Sequence, residues 1–191
     1  MSDRLYLSCW VRGFDESNMI KHYSKLLSVF PFSKLAKQTQ TMRIYAVEYA
    51  EPPAAEKPFE MTALQADILD AAKDFLAADC ACDLETWWDL WQHEGEWKLS
   101  PSGVTISVLG PEFDSEDGDN LRIDLGLDAK FLPQPGVEAS LRFQQSNLRS
   151  LLHLSSEIEK ALPLSRRHLW SESGANFADL LAQAAGEFRV N

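Results

Sequence analysis

Residues 83–92 read DLETWWDLWQ, and the period assigned to this stretch decides the fold. Leu84, Trp87, Trp88 and Trp91 satisfy the i, i+3, i+4, i+7 spacing of an amphipathic helix, while Leu84, Trp88 and Leu90 also satisfy the two-residue period of a strand. A strand is preferred. Aromatic side chains favour the extended chain, and Gly95 in the following HEGE offers a turn before Trp97. In that register Asp83, Glu85, Trp87, Asp89 and Trp91 share one face, and Trp88 and Leu90 point into the core. A slip of one residue exchanges the two sets.

Working outward, GVTISVL (103–109) and NLRIDLGL (120–127) are β-rich, and the acidic segment 111–119 between them, with Asp117-Gly118, reads as a long mobile hairpin loop. Upstream, residues 4–12 alternate, with Leu5, Leu7, Cys9 and Val11 on one side and Arg4, Tyr6, Ser8, Trp10 and Arg12 on the other. Asp15 can cap a helix through Met19, Tyr23, Leu26, Leu27 and Phe30, and 42–49 returns to strand character. These two strands would form a right-handed crossover if they paired in parallel. The three prolines of 51–58 (EPPAAEKP) suggest a linker or edge loop. A helix follows to about residue 79, with Thr62 and Gln65 spaced as a capping box.

Beyond a turn at 133–136, Leu141, Leu148, Leu151, Leu152, Ile158 and Leu162 stripe a long helix over about 138–162, ended by Pro163. A final helix is expected from Asn176, with Phe177, Leu180, Leu181, Ala184 and Phe188 inward. A chain of 191 residues without an evident boundary implies a single domain over 1–191. The expectation is an α+β fold: a mixed sheet of about five strands with helices packed against it, in the order β-α-β-α-β-β-β-α-α.

The net charge of −11 is concentrated in one interval. Between Lys73 and Arg122 stand twelve acids and a single base, Lys98, and the remainder of the chain is neutral. Four of the six tryptophans, Trp87, Trp88, Trp91 and Trp97, lie in the same interval. Nucleic acid is therefore an unfavourable partner, because phosphate binding requires concentrated Lys and Arg. A basic protein or another cation meets a favourable field, although an acidic surface also serves solubility alone.

Three cysteines, Cys9, Cys80 and Cys82, cannot build a disulfide framework, which fits a reducing, cytoplasmic compartment. No signal-peptide pattern and no long apolar run points to export or to a membrane. Cys80-x-Cys82 with His93 falls short of the four donors of a zinc site, and His93-Glu94 lacks the second histidine of a metalloprotease helix. The acidic loop has Gly118 in the wrong position for an EF-hand. No nucleophile elbow, P-loop or dinucleotide fingerprint occurs, so neither a metal nor a cofactor is expected. Arg166-Arg167-His168-Leu169-Trp170 sets cations beside a ring, a cluster that more often pairs with acids of its own chain than with a ligand.

The sequence thus supports a non-catalytic protein-binding module, of adaptor or inhibitor type, docking on a basic partner through an acidic, tryptophan-rich sheet face. Glu85, Trp87, Asp89 and Trp91 would be its contacts, because tryptophan anchors interfaces and carboxylates steer a cationic partner. The alternative is a carboxylate-dependent enzyme or a carbohydrate-binding module on the same face. A carboxylate buried against indole has a raised pKa beside an ionised neighbour, the division that acid–base chemistry needs. A concave site would favour the second class and a flat one the first.

Overall fold

The computed structural model describes residues 3–134 and 136–173, together with Phe177 and Asp179. Its strands are β1 (Arg4–Val11), β2 (Gln40–Ala46), β3 (Ala55–Phe59), β4 (Cys80–His93), β5 (Trp97–Leu109), β6 (Leu121–Leu127) and β7 (Leu164–Ser171). Its helices are α1 (Met19–Val29), α2 (Gln65–Lys73) and α3 (Ser140–Ala161). The strands form one seven-stranded sheet in the order β3-β2-β4-β5-β6-β1-β7, and every neighbouring pair is antiparallel.

The centre of the sheet is the β4–β5 hairpin, paired without interruption from Ala81↔Leu109 to His93↔Trp97. Three residues close it, with Gly95 at φ 83°, a backbone conformation that disfavours a side chain. Leu84, Thr86, Trp88 and Leu90 of β4 are buried, so the alternation of this strand sets the inward face. Leu5, Leu7, Cys9 and Val11, Met42 and Ile44, Val104, Ile106 and Val108, and Leu121, Ile123 and Leu125 join them in one core under the three helices. Tyr23 of α1 is wholly buried and donates its hydroxyl to the Ile106 carbonyl at 2.8 Å, which satisfies its polar tip inside the core.

The expected mixed sheet of about five strands is corrected to an antiparallel sheet of seven. Two strands lay hidden in sequence. Residues 55–59 contain Pro58 and read as linker, yet they pair with β2 as an edge strand, where a missing N–H is tolerated. Residues 164–171 read as a charged cluster after a helix, yet they pair along β1 and form the opposite edge. Arg166 and Arg167 guard that edge against further pairing. The supposed parallel partners β1 and β2 are not neighbours, because β6, β5 and β4 stand between them. The observed order is therefore β-α-β-β-α-β-β-β-α-β.

The helices differ at their ends. The expected capping box at Thr62 and Gln65 is replaced by a start at Gln65, whose side chain instead reaches the Ser24 carbonyl of α1 at 2.7 Å. Asp15 does cap, but it opens a 3-10 turn, Glu16–Asn18, through a box with Asn18 before α1 begins. The helix expected from Asn176 falls outside the described residues apart from Phe177, which is buried in the core, and Asp179.

β2 pairs with β4 only as far as Thr41↔Glu85, and the rest of that edge of β4 is closed by other means. Ser33 N–H donates to the Trp87 carbonyl at 2.8 Å. Farther on, the buried Asn147 of α3 imitates a neighbouring strand: its Oδ1 accepts from Trp91 N–H at 2.9 Å and its Nδ2 donates to the Trp91 carbonyl at 2.9 Å. The same Nδ2 donates to the Lys130 carbonyl at 2.8 Å, so one amide joins helix, strand and loop. Asn147→Ala leaves these backbone groups unpaired, and the expected loss is about 3 kcal/mol. Urea unfolding should show it as a lowered midpoint with an unchanged slope; a midpoint within error of wild type contradicts the bridging role.

Candidate functional site

The helices cover one face of the sheet, and the other is open. Strand register lays its side chains out in rows. One row runs Arg43, Asp83, Ser107, Arg122, Ser8 and His168 across the strands, and the next runs Thr41, Glu85, Thr105, Asp124, Tyr6 and Trp170. Acids and bases meet across these rows. Arg43 pairs with Glu85 and, at 2.6 Å, with Glu56; Arg4 pairs with Asp124 through its Nε at 2.9 Å; Arg122 holds both oxygens of Asp119 at 2.7 Å. Of the acids crowded between Lys73 and Arg122, Glu85 thus finds an arginine on a neighbouring strand and Asp119 finds one three residues along the chain.

The four predicted contacts take different places. Glu85 and Trp87 stand on the open face, Glu85 in its ion pair with Arg43 and Trp87 donating from Nε1 to the Thr39 carbonyl at 3.1 Å. Asp89 is occupied structurally: its carboxylate accepts from Ser33 Oγ and, at 2.8 Å, from Lys34 N–H, and so holds the loop after α1 against the edge of β4. Trp91 packs on Phe143 of α3 with ring centroids 4.6 Å apart, and Trp97 stacks on the same ring at 4.9 Å. The hairpin tip is therefore docked on α3, and the structure does not bring the four residues together as one surface.

The sequence reading missed a cleft of about 430 Å³ at the β1–β7 side of the open face. Tyr6, Tyr49 and Trp170 line it with Arg122, and Glu48, Asp114, Glu116, Asp117 and Glu172 supply five carboxylates. Trp170 stacks on Tyr6 with centroids 4.6 Å apart, donates from Nε1 to Ser8 Oγ at 3.0 Å, and receives the Arg122 guanidinium over its ring at 5.8 Å. Tyr6 was legible in the alternation of residues 4–12. Trp170 was legible only as the ring of the Arg166–Trp170 cluster, and its place beside Tyr6 was not, because its strand went unread.

The opposite wall is the loop after β5, and it is anchored rather than mobile. Phe113 is buried against Ala81 and Leu109 and meets the Tyr49 ring edge-on at 4.9 Å. Asp119 is buried and accepts from Ser8 Oγ at 2.7 Å, and Asn120 accepts from Val11 N–H at 2.8 Å. Asp114 N–H donates to the Val47 carbonyl at 2.7 Å, which ties the loop to the end of β2. Val47 holds φ 68°, a left-handed conformation that a β-branched residue adopts only when its surroundings impose it.

Beneath Tyr49 lies Asp83, which accepts the phenol hydrogen bond at 2.9 Å. Burial pushes its carboxyl up to about 6, against the opposing effect of hydrogen bonds from Ser107 and Tyr49. Burial likewise raises the Tyr49 phenol and the three thiols, Cys9 to about 12, which keeps the cysteines protonated and poor as ligands or nucleophiles. Among the described residues no group of three or more His, Cys, Asp or Glu side chains is placed to hold a metal ion. The Arg166–Trp170 cluster serves its own chain: Arg166 lies over the Trp10 ring at 4.3 Å and Arg167 pairs with Glu159 at 3.2 Å.

The raised carboxyl of Asp83 predicts a specific pH dependence. Between about pH 4 and 6 the folded state holds a proton that the unfolded state has released, so its contribution to stability falls as pH rises through that window and is level above it. Asp83→Asn, permanently neutral, should match wild type near pH 4 and exceed it by about 2–3 kcal/mol at pH 7.5. Equal urea midpoints at pH 7.5 would rule this out. Val47→Asn, at a residue that is 54% exposed, should relieve backbone strain and raise stability by about 1 kcal/mol. A lowered thermal midpoint would show that Val47 is unstrained. Comparison with protein-family models, curated proteins and solved structures gives no match, and function is read from this geometry.

Proposed function

We propose that the chain is a non-catalytic protein-binding module, of adaptor or inhibitor type, that docks on a basic partner through the open sheet face with the aromatic cleft at its centre. One observation carries this reading: five carboxylates line the cleft against a single guanidinium, Arg122, which Asp117 and Asp119 already engage. A lysine or arginine side chain entering between Tyr6, Tyr49 and Trp170 gains carboxylate partners and aromatic faces together. Nucleic acid meets the opposite field there.

Glu85 and Trp87 extend the docking face, whereas Asp89 and Trp91 support it from within the fold. Three free, buried thiols suit a cytoplasmic address. Among the described residues no helix is long and apolar enough to cross a membrane. The enzyme alternative draws on Asp83, whose raised carboxyl is a property of many catalytic acids. Its oxygen is engaged by Tyr49, however, and it does not line the cleft, so binding is the better-supported class.

A lysine nonamer is a direct probe. Calorimetric titration at low salt should show saturable binding that weakens about tenfold or more when ionic strength is raised severalfold. The combined variant Asp114→Lys, Glu116→Lys and Glu172→Lys should abolish it with the circular-dichroism spectrum unchanged. Equal binding by this variant, or no binding by wild type, overturns the proposal.

A further inference from the structure

A second cavity, of about 260 Å³, opens on the same face over β4 and β5, lined by Arg4, Thr39, Thr41, Glu85, Trp87 and Thr105. It differs from the cleft in its floor and in its charge. Trp87 is bonded at one end of its indole and reaches the next strand at the other: Nε1 donates to the Thr39 carbonyl, and Cζ3 lies 3.7 Å from the position a Cβ would take on Gly103, its register partner on β5. The ring therefore crosses β4 and lies down over a strand position that has no side chain. Trp87 is half-buried and lines the cavity beside that position.

The charges around this ring are already matched. Glu85 is paired with Arg43, and Arg4 with Asp124. Neither a cation nor an anion finds an unpaired partner here, in contrast to the cleft. Among the described residues the hydroxyls of Thr39, Thr41 and Thr105 make no hydrogen bond within the protein and are left for a ligand. A flat apolar floor bounded by hydroxyls and a carboxylate with spare lone pairs suits a ligand with one C–H face and a rim of hydroxyls. The volume sits just below the usual range of small-molecule pockets, roughly 300–1000 Å³, and suits a single ring.

We infer that this cavity is a subsite for a neutral sugar ring, which stacks its C–H face on Trp87 and directs hydroxyls to Thr41, Thr105 and the free oxygen sites of Glu85. The carbohydrate class considered from the sequence is thereby assigned to a position separate from the acidic cleft, on Glu85 and Trp87 at the edge of the proposed docking face. No chemical step is implied; the site binds.

Native gels cast with hydroxyethyl cellulose, xylan, mixed-linkage β-glucan, dextran or amylopectin test this directly. At least one polysaccharide should retard the wild type relative to a polysaccharide-free gel. Trp87→Ala should restore free migration, and Thr105→Val, which keeps the size of the side chain, should reduce the retardation severalfold with folding unaffected. The triple lysine variant of the cleft should be retarded as wild type is, allowing for its changed mobility in the control gel. Absence of retardation in all five gels overturns the inference, as does retardation that persists in both Trp87→Ala and Thr105→Val. Loss of lysine-nonamer binding in Thr105→Val also overturns it, because the cavity would then belong to the cationic site.

Discussion

The β4–β5 hairpin is the constraint on which the other elements depend. Its uninterrupted pairing fixes the side of the sheet to which each residue of β4 points, and that alternation separates Leu84, Trp88 and Leu90 from Asp83, Glu85 and Trp87. Everything inward joins one core: Trp88 meets Phe30 edge-on at 5.9 Å and lies against Phe131 at 6.2 Å, connecting the centre of the sheet to the end of α1 and the approach to α3. Outward, Asp83, Glu85 and Trp87 belong to the open surface, whereas Trp91 farther along the strand meets Phe143 of α3.

A long hairpin also creates a problem at its far end, where β2 stops and β4 continues. An open edge of that kind invites pairing with another chain. Here it is closed by side chains that take the part of a backbone, Asn147 above all, and by Asp89, which gathers the loop after α1. The stacking of Trp91 and Trp97 on Phe143 completes the same closure. Residues that read as a surface in the sequence are consumed in making the edge safe.

The open face divides into two regions of different electrostatic character. Over β4 and β5 the charges are matched by Arg43 and Arg4, and the floor is a single indole. Toward β1 and β7 the anchored loop adds carboxylates faster than Arg122 can match them, and the walls are aromatic. This division follows from the strand order, which brings Arg4 and Arg43 from the N-terminal part of the chain alongside Asp124 and Glu85 while the loop after β5 contributes only acids.

The sequence by itself determined the alternation of residues 4–12, the β-rich segments after 103, and the long helix before Pro163; at 83–92 it satisfied both periods and favoured the strand, in the register that the structure shows, on aromatic propensity alone. These are local properties, since period two and period 3.6 are set by backbone geometry over a few residues. It also determined that the acidic excess lies in one interval. Tertiary structure alone decided which of those acids remain unmatched, because Arg43 meets Glu85 only after remote strands have paired, whereas the local pair of Asp119 with Arg122 lies within reach along the chain. It alone made strands of residues 55–59 and 164–171, whose proline and arginines suit an edge and give no signal without a neighbour. The cleft was illegible for the same reason: Tyr6, Tyr49, Arg122 and Trp170 come from four separate parts of the chain, and what brings them to one opening is register between strands, which no local pattern encodes.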